Sequence, residues 1–247
     1  MAPELRGLRS RRLKGLRRLS ALWQASSEMD RIVATHRGRV LNKWRHYFEL
    51  YERHFAPFRD RDITLLEIGI ESGGSLELWR SYFGPRARIV GVDIHPKCQA
   101  FESENTFVRI GSQGDDAFLQ GIAREFGPFD IVIEDGSHAF DHQIGTFRSL
   151  FGHVRAPGLY CCEDTCTSYW SDEFGGGVRK PGTAIEFFKT LIDEQNGWFW
   201  RTGAEPAGDA AAHDLYGLHF YPTLVVVEKR EVEEPTHTPV GRREGAT

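Results

Sequence analysis

The chain predicts an α/β fold: a doubly wound sheet of seven strands that ends in an antiparallel hairpin and is preceded by N-terminal helices. Three observations predict it. From Ile63 onward, short apolar runs alternate with stretches of helical periodicity, as expected of parallel strands joined by crossover helices. The first run, Leu65-Leu66-Glu67-Ile68, leads straight into a glycine turn at Gly69 to Gly74, and a second, Ile89 to Asp93, ends on a carboxylate. Finally, Leu215 to Phe220 and Thr223 to Lys229 are separated only by Tyr221-Pro222, too short for a parallel crossover, so these two strands must fold as a hairpin.

The elements follow in order. Residues 1–20 form a basic arm, with Arg9, Arg11, Arg12, Lys14 and Arg17 among leucines at 5, 8, 13, 16 and 19. Such a pattern suits an amphipathic helix on an anionic surface, a transit leader or a simple packing arm. Residues 21–60 show helical spacing through Leu22, Ile32, Val33, Leu41, Trp44, Tyr47, Phe48, Tyr51 and Phe55, closed by Pro57, and are read as a lid or dimerisation segment. Residues 61–230 make the α/β domain, with strands near 64–68, 88–93, 106–110, 130–134 and 158–162 and helices near 75–83, 115–126, 140–152 and 182–195. Residues 231–247 are charged and proline-containing, and read as a disordered tail.

Composition narrows the function. With 247 residues, 40% hydrophobic and 27% charged, the chain can bury one substantial core. A net charge of −4 gives no global attraction to nucleic acid. No apolar run reaches the length of a membrane span, so a soluble, cytoplasmic protein without stable membrane insertion is expected. Cys98, Cys161, Cys162 and Cys166 lack a second Cys/His pair at zinc-finger spacing and read as small core residues in a reducing compartment.

In a doubly wound sheet, ligands bind beyond the carboxyl ends of the strands, where strand order reverses. Gly69, Gly73 and Gly74 give a GxxxGG turn, which lacks the dinucleotide fingerprint. Asp93 at the next strand end suits the two hydroxyls of a ribose, or else caps the turn before His95-Pro96. Ser112 and Gln113, after the third strand, fall where a nucleoside base would lie; Asp115 or Asp116 serves as an N-cap.

Two acidic motifs close the fourth and fifth strands: Glu134-Asp135-Gly136-Ser137-His138 and Glu163-Asp164. Neighbouring strands lie about 4.8 Å apart, so Asp135, Glu163 and Asp164 can meet on one ion, and three hard oxygens suit Mg²⁺, with Mn²⁺ as a substitute. His138 follows Asp135 by three residues and is the candidate general base, with His142 next in line. His54, His95, His153, His213 and His219 stand in no comparable context.

At this point a resemblance can be stated. The element order resembles that of class I methyltransferases, and Glu67-Ile68-Gly69 resembles the start of their S-adenosylmethionine motif. Over about residues 35–229 the sequence is similar to the metal-dependent sugar O-methyltransferases of the mycinamicin and macrocin type from actinobacteria. The motifs that carry this are Leu66-Glu67-Ile68-Gly69, Gly74-Ser75-Leu76, Gly91-Val92-Asp93-Ile94, Asp135-Gly136-Ser137-His138 and Glu163-Asp164-Thr165 with Thr167-Ser168-Tyr169-Trp170.

The resemblance implies that S-adenosylmethionine lies against Glu67, Gly69, Ser75, Asp93, Ser112, Gln113 and Asp135, that magnesium sits on Asp135, Glu163 and Asp164, and that His138 takes the proton. Tyr47 and Tyr51 resemble the family's tyrosine-rich helix, although the Asp-Lys pair that usually precedes it reads as missing. Acceptor contacts are expected from Tyr51, His142, Tyr169 and Trp170, with Phe174, Trp198, Trp200, Asp172, Glu173 and Arg179 nearby and Gly175 to Gly177 as a lid hinge. The acceptor is a small molecule or oligosaccharide, either a deoxysugar of a glycosylated natural product or a mannoside of a methylated polysaccharide, such as the mycobacterial methylmannose polysaccharide. A homodimer is expected through the helical segment. A metal-dependent hydrolase is the rival reading, but leaves Asp93 and the glycine turn without a role; an iron hydroxylase lacks its histidine ligands, and a non-catalytic cofactor-binding protein would not need the acidic trio.

Overall fold

A computed structural model describes residues 26–200 and 214–241. The basic arm, Leu22, His213 and the last six residues of the expected tail lie outside them. The sheet is built from β1 (Thr64–Ile68), β2 (Arg88–Asp93), β3 (Thr106–Ile110), β4 (Phe129–Glu134), β5 (Val154–Cys162), β6 (Leu215–Tyr221) and β7 (Leu224–Lys229). Its order is β3-β2-β1-β4-β5-β7-β6. β1 to β5 pair in parallel, whereas β7 runs antiparallel to both β5 and β6. β1 is buried along its whole length because crossover helices cover both faces, which explains why such strands read as continuous apolar runs.

On one face lie α1 (Glu28–Thr35), α2 (Tyr47–Phe55) and α3 (Gly74–Phe83); on the other lie α4 (Asp116–Phe126), α5 (Phe140–Leu150) and α6 (Ala184–Gln195). In α2 the buried positions Tyr47, Leu50, Tyr51, His54 and Phe55 follow the i, i+3, i+4, i+7, i+8 rule, so the helix turns one apolar stripe onto the sheet. Asp115 is the N-cap of α4, its carboxylate accepting from Phe118 N at 3.1 Å.

The helical spacing across 21–60 does not give one continuous helix. Residues 36–46 leave α1 and run over the start of α3 with no helical hydrogen-bond ladder. Their partners explain the path: Arg39 donates from its backbone N (2.8 Å) and guanidinium (2.7 Å) to Glu77, and side chains at Gly38 or Gly74 would overlap Glu77 or the Val40 carbonyl. Residues 231–241 carry no regular element. Among the described residues, no helix is long and apolar enough to cross a membrane.

Strand order reverses between β1 and β4, which carry the chain in opposite directions across the sheet. Gly69, Asp93, Asp135 and Glu163 all fall at the carboxyl edge on either side of that switch.

Candidate active site

A cleft of about 450 Å³ opens at this edge, with Gly69, Asp93, Ser112, Gln113, Asp135 and His138 in its walls. Gly69 has φ +86°, and a β-carbon there would overlap the Asp135 carbonyl, so only glycine lets the β1 turn press against the end of β4. Asp93 is 8% exposed and holds both the glycine turn and its own: Oδ2 accepts from Ile70 N (3.1 Å) and Glu71 N (2.9 Å), and Oδ1 from His95 N (2.8 Å). The short helix at Pro96–Phe101 is capped by His95 without a side-chain bond, so Asp93 braces the turns rather than capping a helix, and it lines the cleft.

Gln113 pins the Asp135–His138 loop. Its Oε1 accepts from Ser137 N at 2.6 Å, while Nε2 donates to Glu134 at 2.7 Å; a side chain at Gly136 would overlap it. Ser112 Oγ accepts from Gly114 N at 3.1 Å. His142 also lines the cleft, its Nδ1 lying 2.7 Å from Ser137 Oγ.

In the same cleft Asp135, His138 and Asp164 converge, one ligand atom from each lying within 4.8 Å of the others. His138 Nε2 is 3.6 Å from Asp164 Oδ2. Both residues adopt left-handed backbone, at φ +59° and +52°, which costs non-glycine residues about 1–3 kcal/mol each and marks a position set by its surroundings. Asp164 is fixed by Trp44 Nε1 (2.6 Å) and the Tyr47 hydroxyl (3.1 Å), and the His138 carbonyl accepts from Thr167 Oγ1 at 3.0 Å.

Glu163 lies beside this trio without joining it. Its carboxylate is 1% exposed and accepts from the Tyr51 hydroxyl at 2.5 Å and from Lys43 Nζ at 3.0 Å. Lys43 also donates to Glu67 (3.1 Å) and Asp135 (2.6 Å), with only 3% of its side chain exposed. One ammonium therefore stands among three carboxylates. Sequence reasoning missed it: a lysine stands four residues before Tyr47, as Asn42-Lys43, where the family's pair read as missing. The one available signal was electrostatic, since so many carboxylates at strand ends demand a counter-ion.

Burial pushes the Glu163 carboxyl well up and the Glu67 and Asp135 carboxyls up, with Lys43 pulling each of them back down. For Lys43 burial works against the charge, but Asp135, Glu163 and Glu67 outweigh it, so the lysine stays protonated. Were all three carboxyls ionised, they would outnumber the one ammonium, and Asp164 adds a fourth carboxyl. A divalent cation would offset that charge, and oxygen donors with one imidazole beside them fit a hard ion such as Mg²⁺.

The remaining expected residues are placed as follows. Ser75 lies behind the cleft, donating to Glu67 at 2.7 Å. Tyr51 is buried against Phe55 and Trp79, so it acts on the site through Glu163. Tyr169 and Trp170 are 48% and 45% exposed, next to the Gly175 to Gly177 run, whose Gly176 N donates back to the Trp170 carbonyl at 2.7 Å. Trp170 and Phe174 rings lie 5.9 Å apart. Trp200 instead donates to Asp193 of α6 at 3.0 Å.

No protein-family model matches the chain. It is 42% identical over 220 residues to the 8-demethyl-8-(2-methoxy-alpha-L-rhamnosyl)-tetracenomycin-C 3'-O-methyltransferase of Streptomyces olivaceus, covering 85% of this chain and 55% of that protein. It is 39% identical over 202 residues to the mycinamicin VI 2''-O-methyltransferase of Micromonospora griseorubida, covering 76% of this chain and 50% of that one. Among solved structures it resembles MycE, the methyltransferase of the mycinamycin biosynthetic pathway, in complex with Mg, SAH and mycinamycin VI, at TM-score 0.69 and 37% identity over 81% of this chain and 53% of that one. The chain spans about half the length of the curated relatives it matches. In both sequence and class I methyltransferase fold, it is a homologue of the actinobacterial sugar O-methyltransferases over the part it shares with them.

Proposed function

We propose that this chain is an S-adenosylmethionine- and Mg²⁺-dependent O-methyltransferase whose acceptor is a sugar hydroxyl of a glycosylated small molecule. The observation that carries this is the convergence of Asp135, His138 and Asp164 in a cleft that Asp93 also lines. The relatives support the acceptor class, being methyltransferases of rhamnosyl tetracenomycins and of mycinamicin VI.

When bound, the sulfonium cofactor supplies the methyl group and the cation lowers the pKa of a coordinated hydroxyl. Asp135 and Asp164 would hold that cation, with Glu163 adjacent and kept in register by Tyr51 and Lys43. Asp93 and the Gly69 turn would take the nucleoside, beside Ser112 and Gln113. His138 would accept the hydroxyl proton through a ring nitrogen as the oxygen attacks. Tyr169 and Trp170, exposed on the adjacent segment, offer flat apolar faces to a sugar ring.

A second reading of His138 has its own observation: one ring nitrogen lies within 4.8 Å of both carboxylates, so it can serve as a metal ligand. Affinity for Mn²⁺ in His138→Ala separates the two, being retained for a base and lost for a ligand. The function itself is tested with purified protein, labelled S-adenosylmethionine and two acceptors, a deoxysugar glycoside and a mannoside, with and without chelator. Chelator-sensitive methylation of the deoxysugar glycoside is expected. Methylation of the mannoside alone would move the acceptor to a polysaccharide, and turnover undiminished by chelator would overturn the metal role.

A further inference from the structure

We propose that His54, His219 and Glu228 form a second cation site, suited to Zn²⁺, which clips α2 to the terminal hairpin. It lies apart from the acidic cluster and does not depend on the function proposed above. One ligand atom from each of the three residues lies within 4.8 Å of the others. They come from separate elements: His54 from α2, His219 from β6 and Glu228 from β7.

The local backbone brings them together. A register shift between Leu215 and Gly217 sets Gly217, not a bulkier residue, opposite Glu228, and a β-carbon there would come within 3.1 Å of His219 Nε2. His219 Nε2 lies 2.8 Å from Glu228 Oε1, and the His54 and His219 rings are 4.8 Å apart. Tyr221 Oη sits 2.9 Å from His54 Nε2 and orients that ring. Glu228 uses its other oxygen, Oε2, for Arg230 at 3.2 Å, so Oε1 remains on the cluster side. Arg53 stacks over Tyr221 at 5.9 Å, so two guanidiniums border the site without entering it.

The donor set is the argument for the ion. Two imidazoles and one carboxylate, with a fourth position left to water, match zinc rather than magnesium, whereas the acidic cluster offers mainly hard oxygens. Tetrahedral zinc needs ligand atoms roughly 3.4 Å apart, so the 2.8 Å between His219 Nε2 and Glu228 Oε1 must open by about 0.6 Å on binding. The consequence reaches the first site, because α2 also carries Tyr47 and Tyr51, whose hydroxyls hold Asp164 and Glu163.

The test uses the full chain, stripped of metal and then kept in excess Mg²⁺ so that the acidic cluster is occupied. Co²⁺ is titrated while its visible d–d absorption is recorded, Zn²⁺ is used to displace it, and thermal unfolding is followed with Zn²⁺. One Co²⁺ per chain is expected, with intense low-coordinate bands and a Zn²⁺-dependent rise in Tm. His219→Ala should weaken binding roughly 100-fold and abolish the rise, and Glu228→Gln should weaken it roughly 10-fold, while both keep the Mg²⁺ response as proof of folding. No Co²⁺ binding by the wild type would overturn the proposal. So would a Zn²⁺ response that survives His219→Ala and disappears in Asp164→Asn, which would assign the ion to the first site.

Discussion

Lys43→Met removes the ammonium from the centre of the acidic cluster and leaves a side chain of similar length. Three contacts of 2.6, 3.0 and 3.1 Å are lost, to carboxylates of which two are almost fully buried. Deleting one partner of a buried ion pair costs about 3–5 kcal/mol, because the other is left charged and unsolvated. For a domain of this size each kcal/mol moves Tm by about 2–4 °C, so a fall of roughly 6–20 °C is expected in chelator at pH 7.5. The pH dependence has a definite sign. Burial already raises the Glu163, Glu67 and Asp135 carboxyls, and losing Lys43 removes the group that pulled them down. Acids whose folded pKa is raised stabilise the fold below their unfolded value, about 4, and lose that contribution as pH rises through the folded value. The deficit of the variant should therefore shrink as pH is lowered from 7.5 towards 5. Added Mg²⁺ should stabilise the variant more than the wild type, since the ammonium no longer competes for Asp135. Circular dichroism melts at several pH values, with chelator or Mg²⁺, measure all of this. A Tm within about 2 °C of wild type in chelator, with the same metal response, would refute the buried counter-ion.

Other predictions concern the cleft. His138→Ala should retain S-adenosylmethionine binding in a calorimeter while methyl transfer falls by about 10²–10⁴, the usual contribution of a general base. Asp164→Ala should lower activity in a way that raised Mg²⁺ partly restores, read from the metal dependence of turnover. Gly69→Ala combines a φ of +86° with overlap on the Asp135 carbonyl, so a loss of at least about 2 kcal/mol or failure to fold is expected, read by urea unfolding. Burial raises the Cys98 thiol to about 11, so at pH 8 only about one molecule in 10³ carries the thiolate, and mass spectrometry should find Cys98 unalkylated by iodoacetamide in the native protein.

Much of this architecture is legible because local and tertiary preferences agree. The runs at Leu65, Ile89 and Ile131 have only one environment that can bury them on both faces, and the two-residue link at Tyr221-Pro222 leaves only a hairpin. The acidic motifs are legible for the same reason, since a carboxylate directly after an apolar strand must emerge at the sheet edge. The path of 36–46 is not, because apolar residues at spacings of three and four occur there without a helix; Gly38 and Arg39 take their conformation from Glu77, 38 residues along the chain from Arg39. His54 and His219 are illegible as a pair, being brought together only when α2 packs beside the hairpin.

Lys43 shows what pattern reading omits and charge counting supplies. It meets Glu67, Asp135 and Glu163 at sequence separations of 24, 92 and 120, so no window on the chain holds the cluster. Yet four carboxylates placed by the fold at one sheet edge cannot all ionise in a buried site without positive charge. One ammonium balances a single unit of charge, and Trp44 from the same segment, with Tyr47 at the start of α2, donates to Asp164. The segment before α2 therefore supplies positive charge that lets Asp135 and Glu163 be held near one another, with Glu67 beside them. The left-handed backbone at His138 and Asp164 is held against a local preference for other conformations by hydrogen bonds to the Asp164 carboxylate and the His138 carbonyl.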